Sequence, residues 1–373
     1  MMDKINILVD AHVFDGKYQG TRTYIRGLYN FYHDPRFNIY LISSSEENLK
    51  NHFILPNVNF IEYKYNNKLL RFLIEIPRVV KKYKIDLIHF QYILPPFCRC
   101  KKIVTIHDIL FKDYSKYFPF FYKIKNNLLF GLSIRIADMV FTVSKYSQDR
   151  IIHHYKYKAN QIKITPNAVE ASSNISFSDS INFSDSILKK YNLNKYIINV
   201  SRFEPRKGQH LILQAFMDLD LFEKNYELVL IGHYDLKYIK FTDILKKLPD
   251  KHLSKIKVLN NIADEEMFTL IRNAKLFIYP SFAEGFGIPP LEAAIQQTPV
   301  ICSNQTAMKE FTFFKDRMFD PYNYNEFLNK INQYLYNSNL DIKNIEQAIK
   351  EKYNWNKISK NFFELLYFNF SRK

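Results

Sequence analysis

Short apolar, β-branched runs alternate with longer amphipathic segments through the first half of the chain. Apolar runs of roughly four to eight residues predict strands, and apolar positions three to four residues apart predict helices. The predicted strands are residues 5–11, 38–44, 58–63, 86–92, 102–108, 139–144 and 162–167. The predicted helices are residues 23–33, 68–84, 120–137 and 147–155. This alternation predicts a parallel, doubly wound sheet.

A polar segment separates this pattern from a second copy of it. Residues 170–186 are rich in Ser, Asn and Asp and have no stable apolar face, so we expect an interdomain connection there. The strands predicted beyond it are residues 196–202, 227–233, 255–261, 276–281 and 299–304. The helices predicted between them are residues 207–219, 264–274 and 290–297. The second half therefore predicts a second doubly wound sheet.

The repeated pattern divides the chain into an N-terminal domain at residues 1–175 and a C-terminal domain at residues 176–351. The length of 373 residues exceeds that of most single-core proteins, which supports two domains. Residues 352–373 carry apolar positions at helical spacing and are predicted to form a helix that packs back on the first domain. Because strand ends in such sheets bind ligands, we expect the two domains to face a central cleft.

Composition excludes several classes of protein. Cys98, Cys100 and Cys302 are too few for a disulfide framework and lack the second ligand pair of a zinc site, which favours a reducing cytoplasm. No apolar run reaches the roughly 18 residues of a membrane span, so we expect a protein that is soluble or lies on a surface. The net charge of +16 favours an anionic partner, such as nucleic acid, acidic lipid or a phosphorylated substrate, but equally fits a compositional bias of the genome.

Two glutamates eight residues apart are the most informative chemical feature. Glu284 and Glu292 bracket a run with Gly285, Gly287 and two prolines, directly after the predicted strand at 276–281. The glycines let the backbone approach a ligand, and the prolines start a helix whose amino end attracts a phosphate. A glutamate there would repel phosphate and accept hydrogen bonds from sugar hydroxyls, so a phosphorylated sugar suits the pocket. A surface turn with two solvated glutamates explains the spacing alone equally well.

Two basic residues, Arg202 and Lys207, stand at the end of another predicted strand and precede a helix. A guanidinium fork and an ammonium group at such a turn can clamp a diphosphate. A solvated basic turn is the simpler interpretation of these two residues alone. Their place at a second strand end of the domain that carries Glu284 favours the clamp.

The first domain offers weaker candidates. Gly20 and Thr21 open a helix after the first strand, where backbone amides can approach a phosphate, although a flexible loop explains the local sequence as well. His107 ends a predicted strand, where a neutral imidazole could hydrogen-bond a sugar hydroxyl. A purely structural histidine is the more common alternative.

Together these motifs resemble those of the family 4 retaining glycosyltransferases, the glycogen-synthase-like group with the two-domain GT-B fold. The similarity covers nearly the whole chain. The segments that carry it are residues 20–21, 104–108, 200–208, 263–266, 280–292 and 299–303. The resemblance implies an α/β protein with two Rossmann-like domains facing a central cleft.

The resemblance also implies a role for each matching residue. Arg202 and Lys207 would hold the donor diphosphate and stabilise it as it leaves. Glu284 would contact the transferred sugar, Glu292 would hold the ribose, and His107 would reach the sugar from the first domain. The other implied ligand contacts are Gly20, Thr21, Ile262, Gly285, Phe286, Gly287 and Ile288. No metal ion or cofactor is implied, because basic side chains neutralise the leaving group.

The implied reaction transfers a hexose, with retention, from a nucleotide-diphosphate sugar to a glycan or lipid-linked glycan acceptor. Such reactions build bacterial surface polysaccharides, such as lipopolysaccharide O-antigen or capsule. Residues 105–108 are similar to those of mannosyl-transferring relatives, which favours GDP-mannose, with a UDP-sugar as the alternative. Residues 18–21 contain one glycine where the family usually has a pair, so the placement of the acceptor stays open. The sequence does not indicate an oligomeric state.

Two other classes of function would explain parts of the sequence. A basic nucleic-acid-binding protein without catalysis would explain the charge, but the sequence contains neither an RNA-recognition motif nor a helix-turn-helix. A nucleotide-dependent oxidoreductase would need Gly-x-Gly-x-x-Gly after the first strand, which is absent.

Residues 111–130 raise a separate question about location. Four lysines alternate there with aromatic residues, which suits the interface of an anionic membrane or a core helix with lysines on its wet face. These lysines are Lys112, Lys116, Lys123 and Lys125. The membrane interpretation would place a cytoplasmic protein peripherally on the inner face of the cytoplasmic membrane.

Overall fold

The computed structural model describes residues 4–16, 20–170, 177–234, 236–336 and 341–371. The chain forms two compact units. The first unit comprises Met1–Ala168 and Tyr353–Lys373, and the second comprises Val169–Lys352. The chain therefore leaves the first unit and returns to it for the last helix.

The first unit is built on a seven-stranded sheet in which all the described strand pairs are parallel. Its strands are β1 (Ile5–Asp10), β2 (Phe37–Ser43), β3 (Val58–Glu62), β4 (Leu87–Gln91), β5 (Lys101–Thr105), β6 (Met139–Thr142) and β7 (Ile162–Ile164). They are arranged in the order β3-β2-β1-β4-β5-β6-β7. Every residue of β4 is buried, as expected for a central strand that is covered on both faces.

The second unit contains a six-stranded parallel sheet. Its strands are β8 (Tyr196–Val200), β9 (Glu227–Ile231), β10 (Ile256–Leu259), β11 (Leu276–Tyr279), β12 (Val300–Ser303) and β13 (Met318–Phe319). Their order is β10-β9-β8-β11-β12-β13. The sequence pattern missed β13 because a strand of two residues is too short to show a period.

Helices connect the strands in both units. In the first unit they are α1 (Gly20–Asn30), α2 (Glu46–Lys50), α3 (Lys68–Leu70), α4 (Ile76–Lys82), α5 (Leu110–Asp113), α6 (Phe120–Ile136) and α7 (Lys145–Tyr155). In the second they are α8 (Phe177–Tyr191), α9 (Gln209–Asp218), α10 (Ile239–Lys247), α11 (Asp250–Leu253), α12 (Asp264–Asn273), α13 (Ile288–Ile295), α14 (Tyr324–Tyr336) and α15 (Ile342–Lys352). The last helix, α16 (Trp355–Phe370), belongs to the first unit. None of the described helices is both long and apolar enough to cross a bilayer.

Two groups of helices cover opposite faces of the first sheet. Ile76 of α4 and Ile134 of α6 pack into one apolar cluster with Phe90 of β4. The neighbouring β4 residue, His89, points to the other face and has its ring 5.7 Å from that of Phe362 on α16. Thus α4 and α6 share one face of the sheet, and α16 covers the other.

The structure confirms two parallel α/β sheets, but it corrects the prediction for residues 170–186. Residues 171–176 lie outside the described part of the chain, and the predicted connection is helical from Phe177 onward. The Ser and Asp residues are weak helix formers, so the prediction gave the segment no helix. Tertiary contacts stabilise it instead, because Ile187 is buried and Lys190 lies 2.7 Å from Glu266 of α12.

Other differences concern the ends of elements. The predicted helix at 68–84 is divided into α3, a π-helical turn at Arg71–Glu75, and α4, whose second residue is Pro77. Proline cannot donate its backbone amide, which explains why the regular hydrogen bonding changes just before it. Several predicted strands end two or three residues early, as at Thr105 and Val200. His107 and Arg202 consequently lie in the loops that leave β5 and β8.

Candidate functional site

The strands β8 and β11 lie side by side in the second unit, and the strand order reverses at this pair. Ligands of open parallel sheets bind where the order reverses, because the loops leaving the two strands run to opposite sides and open a crevice. The loop after β8 contains residues 201–208, and the loop after β11 contains residues 280–287. The two predicted motifs of this domain therefore start from neighbouring strand ends.

Two glycines allow close packing around these loops. Gly208 has φ of +74°, and a Cβ on it would collide with the carbonyl oxygen of Pro280. Gly287 has φ of +100°, and a Cβ there would lie 2.8 Å from a neighbouring methionine side chain. Any other residue at either position would strain the backbone. The loops also bond directly, since the amide of Phe282 donates to the carbonyl of Arg206 at 2.8 Å.

Glu284 is the centre of a buried charged cluster between these loops. Its Oε1 lies 2.7 Å from Nζ of Lys207 and accepts a hydrogen bond from the hydroxyl of Tyr279 at 3.0 Å. Its Oε2 lies 3.2 Å from Nη1 of Arg206. The backbone amide of Glu284 donates to Oγ1 of Thr306 at 2.7 Å. The three charged side chains are each less than a tenth exposed, so water does not screen their attraction.

Burial and mutual attraction act in opposite directions on the pKa of this carboxyl. Burial raises the pKa of Glu284, but the positive charges of Lys207 and Arg206 outweigh it and lower the pKa to about 2. Burial lowers the pKa of Lys207 to about 8, although Glu284 opposes the change. At neutral pH Glu284 is ionised and Lys207 is protonated. A hydrogen-bond acceptor and a cation are thus held side by side.

Arg206 is the member of the cluster that sequence analysis missed. Its Nη2 lies 2.5 Å from Oε1 of Glu204, and its Nη1 donates to the carbonyl of Ala283. The signal that could have found it is the second basic residue in the turn Pro205–Lys207. Arg202 differs, because its side chain is 43% exposed and its Nη2 lies 3.5 Å from Glu204. Arg206 is committed to the protein, whereas Arg202 is accessible to a ligand.

The second predicted glutamate has a different environment. Glu292 lies on α13 and is half-buried. Burial raises the pKa of Glu292 to about 7, and the charges of Asp264 and Glu170 add to the rise. Ile262, also half-buried, lies two residues before Asp264 in the loop between β10 and α12. Because Asp264 acts on the charge of Glu292, the Ile262 loop ends close to this carboxyl.

The residues between the two glutamates lead into α13. Gly285, Phe286 and Gly287 are buried, and the ring of Phe286 packs against Phe311 with 5.5 Å between centroids. The helix begins at Ile288. Backbone amides at a helix start carry partial positive charge, so this stretch can receive an anionic group next to Glu284.

His107 lies in the first unit and is buried in the loop after β5. Its Nε2 is 2.8 Å from Oε1 of Gln91, and its ring meets the edge of Tyr24 at 4.9 Å between centroids. Burial lowers the pKa of His107 to about 3, so the imidazole is neutral at physiological pH. With the proton on Nε2 for the bond to Gln91, Nδ1 retains a lone pair that can accept a hydrogen bond.

Gly20 and Thr21 begin α1, as predicted, and Gly20 is exposed. The preceding residues 17–19, including two of the loop positions compared with the family pattern, lie outside the described part of the chain. No group of three or more His, Cys, Asp or Glu side chains suited to a metal ion occurs within the residues that the structure describes.

Two family models together match most of the chain. The model described as glycosyltransferase family 4 matches residues 18–173, and the model described as glycosyl transferases group 1 matches residues 180–352. The chain belongs to the family 4, group 1 glycosyltransferases. The family predicted from the motifs is confirmed.

Curated relatives of this family 4 glycosyltransferase include several mannosyltransferases. The O-antigen chain mannosyltransferase B of Escherichia coli is 29% identical over 65% of this chain and 63% of its own length. An uncharacterised glycosyltransferase of Methanocaldococcus jannaschii is 25% identical over 91% of both chains. The matches thus span less than two thirds of the O-antigen relative and nearly all of the archaeal one.

Solved structures show the same fold. The sucrose-phosphate synthase of Thermosynechococcus elongatus superposes with a TM-score of 0.74 at 18% identity, over 99% of this chain and 100% of that chain. HepE of Anabaena, solved in complex with UDP-glucose, has a TM-score of 0.73 at 19% identity, over 97% and 99% of the two chains. The family 4 glycosyltransferase therefore has the predicted GT-B fold.

Proposed function

We propose that this family 4 glycosyltransferase moves a hexose from a nucleotide-diphosphate sugar to a glycan or lipid-linked glycan acceptor. The observation that carries the proposal is the buried contact of 2.7 Å between Lys207 and Glu284 at the point where the strand order reverses. A sugar diphosphate needs a cation for its phosphates and an acceptor for its sugar hydroxyls within a few ångströms. This pair supplies both.

In the proposed complex, the diphosphate lies against Lys207 and Arg202. Lys207 exchanges part of its interaction with Glu284 for a phosphate oxygen, and the exposed Arg202 guanidinium closes on the diphosphate from the solvent side. Arg206 stays on Oε2 of Glu284 and keeps this carboxylate ionised when Lys207 turns to the phosphate. Glu284 is then free to accept hydrogen bonds from hydroxyls of the transferred sugar.

The remaining donor contacts follow from their positions. Amides of Gly285, Phe286, Gly287 and Ile288 would receive a phosphate or sugar oxygen at the start of α13. Glu292 would bind the two ribose hydroxyls, and the backbone around Ile262 would lie beside the base. The pKa of Glu292 near neutrality lets its carboxyl accept a hydrogen bond as carboxylate or donate one as acid.

The first unit is proposed to bind the acceptor. His107, neutral at the operating pH, would accept a hydrogen bond from a sugar hydroxyl through Nδ1. Gly20 and Thr21 would contribute amides at the amino end of α1. The names of the relatives, O-antigen chain mannosyltransferases among them, support a role in surface polysaccharide assembly.

Mannose from GDP-mannose is the proposed donor sugar. Mannosyltransferases recur among the relatives, including the α-1,3/1,6-mannosyltransferase of Saccharomyces cerevisiae, which is 24% identical over 49% of this chain. A UDP-sugar is the alternative, since HepE of similar fold was solved with UDP-glucose. Incubating the protein with GDP-mannose, UDP-glucose or UDP-galactose and measuring the free nucleotide released distinguishes the two donor classes. If no nucleotide were released from any of these donors, the proposal would be contradicted.

We propose that the reaction retains the configuration of the anomeric carbon. The acceptor oxygen forms its bond on the face from which the diphosphate leaves, the bond from the anomeric carbon to the phosphate oxygen breaks, and that phosphate oxygen takes the hydroxyl proton. Lys207 and Arg202 stabilise the charge on the leaving diphosphate in place of a metal ion. NMR of the product linkage tests this, and an inverted anomer would disprove it. Turnover unchanged by EDTA is the expected result of the metal test.

A further inference from the structure

The helix α6 is apolar on two opposite sides. Its inner side, which includes Phe130 and Ile134, packs on the sheet of the first unit. Its outer side presents a stripe at helical spacing whose members are exposed by 83%, 54%, 71% and 46%: Phe121, Ile124, Leu128 and Leu132. A helix that covers a core normally has a polar outer side, so this stripe requires an apolar environment of its own.

Other exposed apolar side chains lie on the same face of the unit. Phe97 is 71% exposed in the loop after β4, and this loop bonds to α6 through the amide of Leu94, which donates to Oγ of Ser133 at 2.9 Å. Leu69 and Leu73 are 70% and 47% exposed just before α4, which shares the core cluster of α6. Exposed apolar side chains therefore occur in the loop bonded to α6 and before α4 as well as on α6 itself.

Positive charge surrounds this surface. The helix α6 contains Lys123, Lys125 and Arg135 and no acidic residue, and Lys116 lies just before it. The carboxylate of Asp113, which precedes α6 in the chain, is paired with Arg150 at 2.5 Å and also contacts the ring of His154 at 2.8 Å. An apolar stripe flanked by lysines is complementary to a bilayer with anionic headgroups, whereas a purely apolar protein partner would leave the lysines without counter-charge.

We infer that the outer stripe of α6, with Phe97 and the flanking lysines, docks the first unit on an anionic membrane surface. The aromatic and aliphatic side chains enter the boundary between headgroups and acyl chains, and the lysines pair with lipid phosphates. The inference does not depend on the reaction proposed above, although a lipid-linked acceptor would be reached at such a surface.

Flotation of the full chain with vesicles tests this inference. Vesicles of phosphatidylcholine mixed with phosphatidylglycerol should bind the protein, vesicles of phosphatidylcholine alone should bind it at least about tenfold less, and added salt should release it. Replacing Phe121 and Leu128 by serine should reduce binding about tenfold or more. The matched control replaces Ile54 and Phe368, which are 82% and 67% exposed, and should bind like the wild type.

A second pair of variants tests the charges without touching apolar packing. Changing Lys116, Lys123 and Lys125 to glutamate should abolish binding to the anionic vesicles, since each basic residue contributes about fivefold. Changing Lys240, Lys246 and Lys247, exposed on α10 of the second unit, alters the net charge equally and should have a much smaller effect.

Three results would overturn the inference. In the first, the α6 variants bind vesicles as well as the wild type. In the second, the wild type binds both kinds of vesicle equally. In the third, the wild type self-associates in sedimentation, and Phe121→Ser and Leu128→Ser abolish this association. The last result would assign the stripe to a second copy of the chain. Thermal shift with GDP and UDP, measured without vesicles on the same variants, separates loss of docking from loss of donor binding, and circular dichroism verifies their fold.

Discussion

Glu284 in the second unit and His107 in the first are both buried in loops that leave strands, but their charge states are opposite. In the second unit Glu284 stays ionised, because two cations compensate for its burial. In the first unit His107 and His89 are neutral, since burial lowers the pKa of each to about 3 and the partners that they contact are amide and hydroxyl groups. The cluster around Glu284 can attract a charged ligand, whereas the neutral His107 can exchange hydrogen bonds without carrying charge.

This difference teaches how each unit can act on a sugar nucleotide and a glycan. In the proposed reaction a diphosphate would carry its charge into the site, and a preformed cationic cluster would lower the free energy of binding and of departure. The acceptor's hydroxyl groups would be neutral, and a charged imidazole beside them would have to be desolvated for no electrostatic gain. The predictions below test whether the charged cluster and the neutral network behave as differently as their contacts indicate.

The largest effect is expected from removing the charge of Glu284. Glu284→Gln should lower turnover by about 10²–10³ and the free energy of unfolding by about 3 kcal/mol, because Lys207 is left buried without a carboxylate and Arg206 keeps only Glu204. Rates of donor hydrolysis and thermal denaturation measure the two losses. Glu223→Gln is the control, since the Glu223 side chain is 57% exposed and should tolerate the change.

A double variant separates catalysis from stability in that cluster. Glu284→Gln combined with Lys207→Met removes both charges of the central pair, so stability should recover in part while turnover stays lost. The loss in free energy of unfolding for the double variant should be smaller than the sum of the losses for the two single variants. If it were larger, the contact between Lys207 and Glu284 would not be the source of the loss.

The two arginines should give opposite results. Arg206→Met should lower the free energy of unfolding by about 3 kcal/mol, since it leaves Glu204 and Glu284 buried and partly unpaired. Arg202→Met should change stability by less than about 1 kcal/mol, because that side chain is accessible to water, yet it should weaken GDP or UDP binding. Chemical denaturation and titration calorimetry on both variants test the contrast. If Arg202→Met lowered the free energy of unfolding as much as Arg206→Met, the proposed contrast between the two arginines would be wrong.

The pH dependence distinguishes the charged cluster from the neutral network. The pKa of Lys207 is lowered to about 8, so nucleotide-diphosphate binding should weaken as the pH rises through 8 and Lys207 loses its proton. Lys207→Arg should move this loss beyond the measurable range, since guanidinium keeps its proton. The pKa of Glu284 is lowered to about 2, so its stabilising effect is present above pH 4.5 and is lost as the pH falls toward 2. Calorimetric binding and denaturation series across pH provide both profiles.

The smallest effect is expected from His107. His107→Gln keeps a hydrogen-bonding group and removes no charge, so turnover should fall only about three- to tenfold, the value of a neutral hydrogen bond. The shape of the pH–rate profile should not change between pH 5 and 9, because the histidine is neutral throughout that range. His153→Gln, on the exposed side of α7, serves as the control. The loss, in the His107→Gln profile, of an ionisation that the wild type shows between pH 5 and 9 would contradict the neutral assignment.

Some of the fold could be predicted because the spacing of apolar residues along a segment reflects which of its faces are buried. The apolar runs that became β4 and β11 are buried on both sides, and their composition shows it without knowledge of their neighbours. The helix α8 was not predicted, because its Ser and Asp residues disfavour helix and the local sequence does not show the packing that buries Ile187 and brings Lys190 to Glu266 of α12. The apolar pattern does not mark where a regular strand ends, so the predicted strands ran past Thr105 and Val200.

The candidate site divides in the same way. Glu284, Lys207 and Arg202 could be selected from their residue types and their places after strands. Arg206 was missed although it is the second basic residue of the same turn, because the local sequence does not show that its side chain is buried against Glu204 and Glu284. The exposed stripe of α6 was hidden for a related reason, since an apolar helix has the same sequence whether its outer side is covered or open.

The sequence by itself determined two α/β repeats, the family, and the strand ends at which charged residues stand. These properties depend on composition and spacing within short segments. Only the tertiary structure decided which charges meet, because Lys207 and Glu284 become neighbours through the pairing of β8 with β11, which no local period encodes. It also decided which buried groups stay charged, since a pKa depends on the charges and water around the group rather than on its neighbours in the chain.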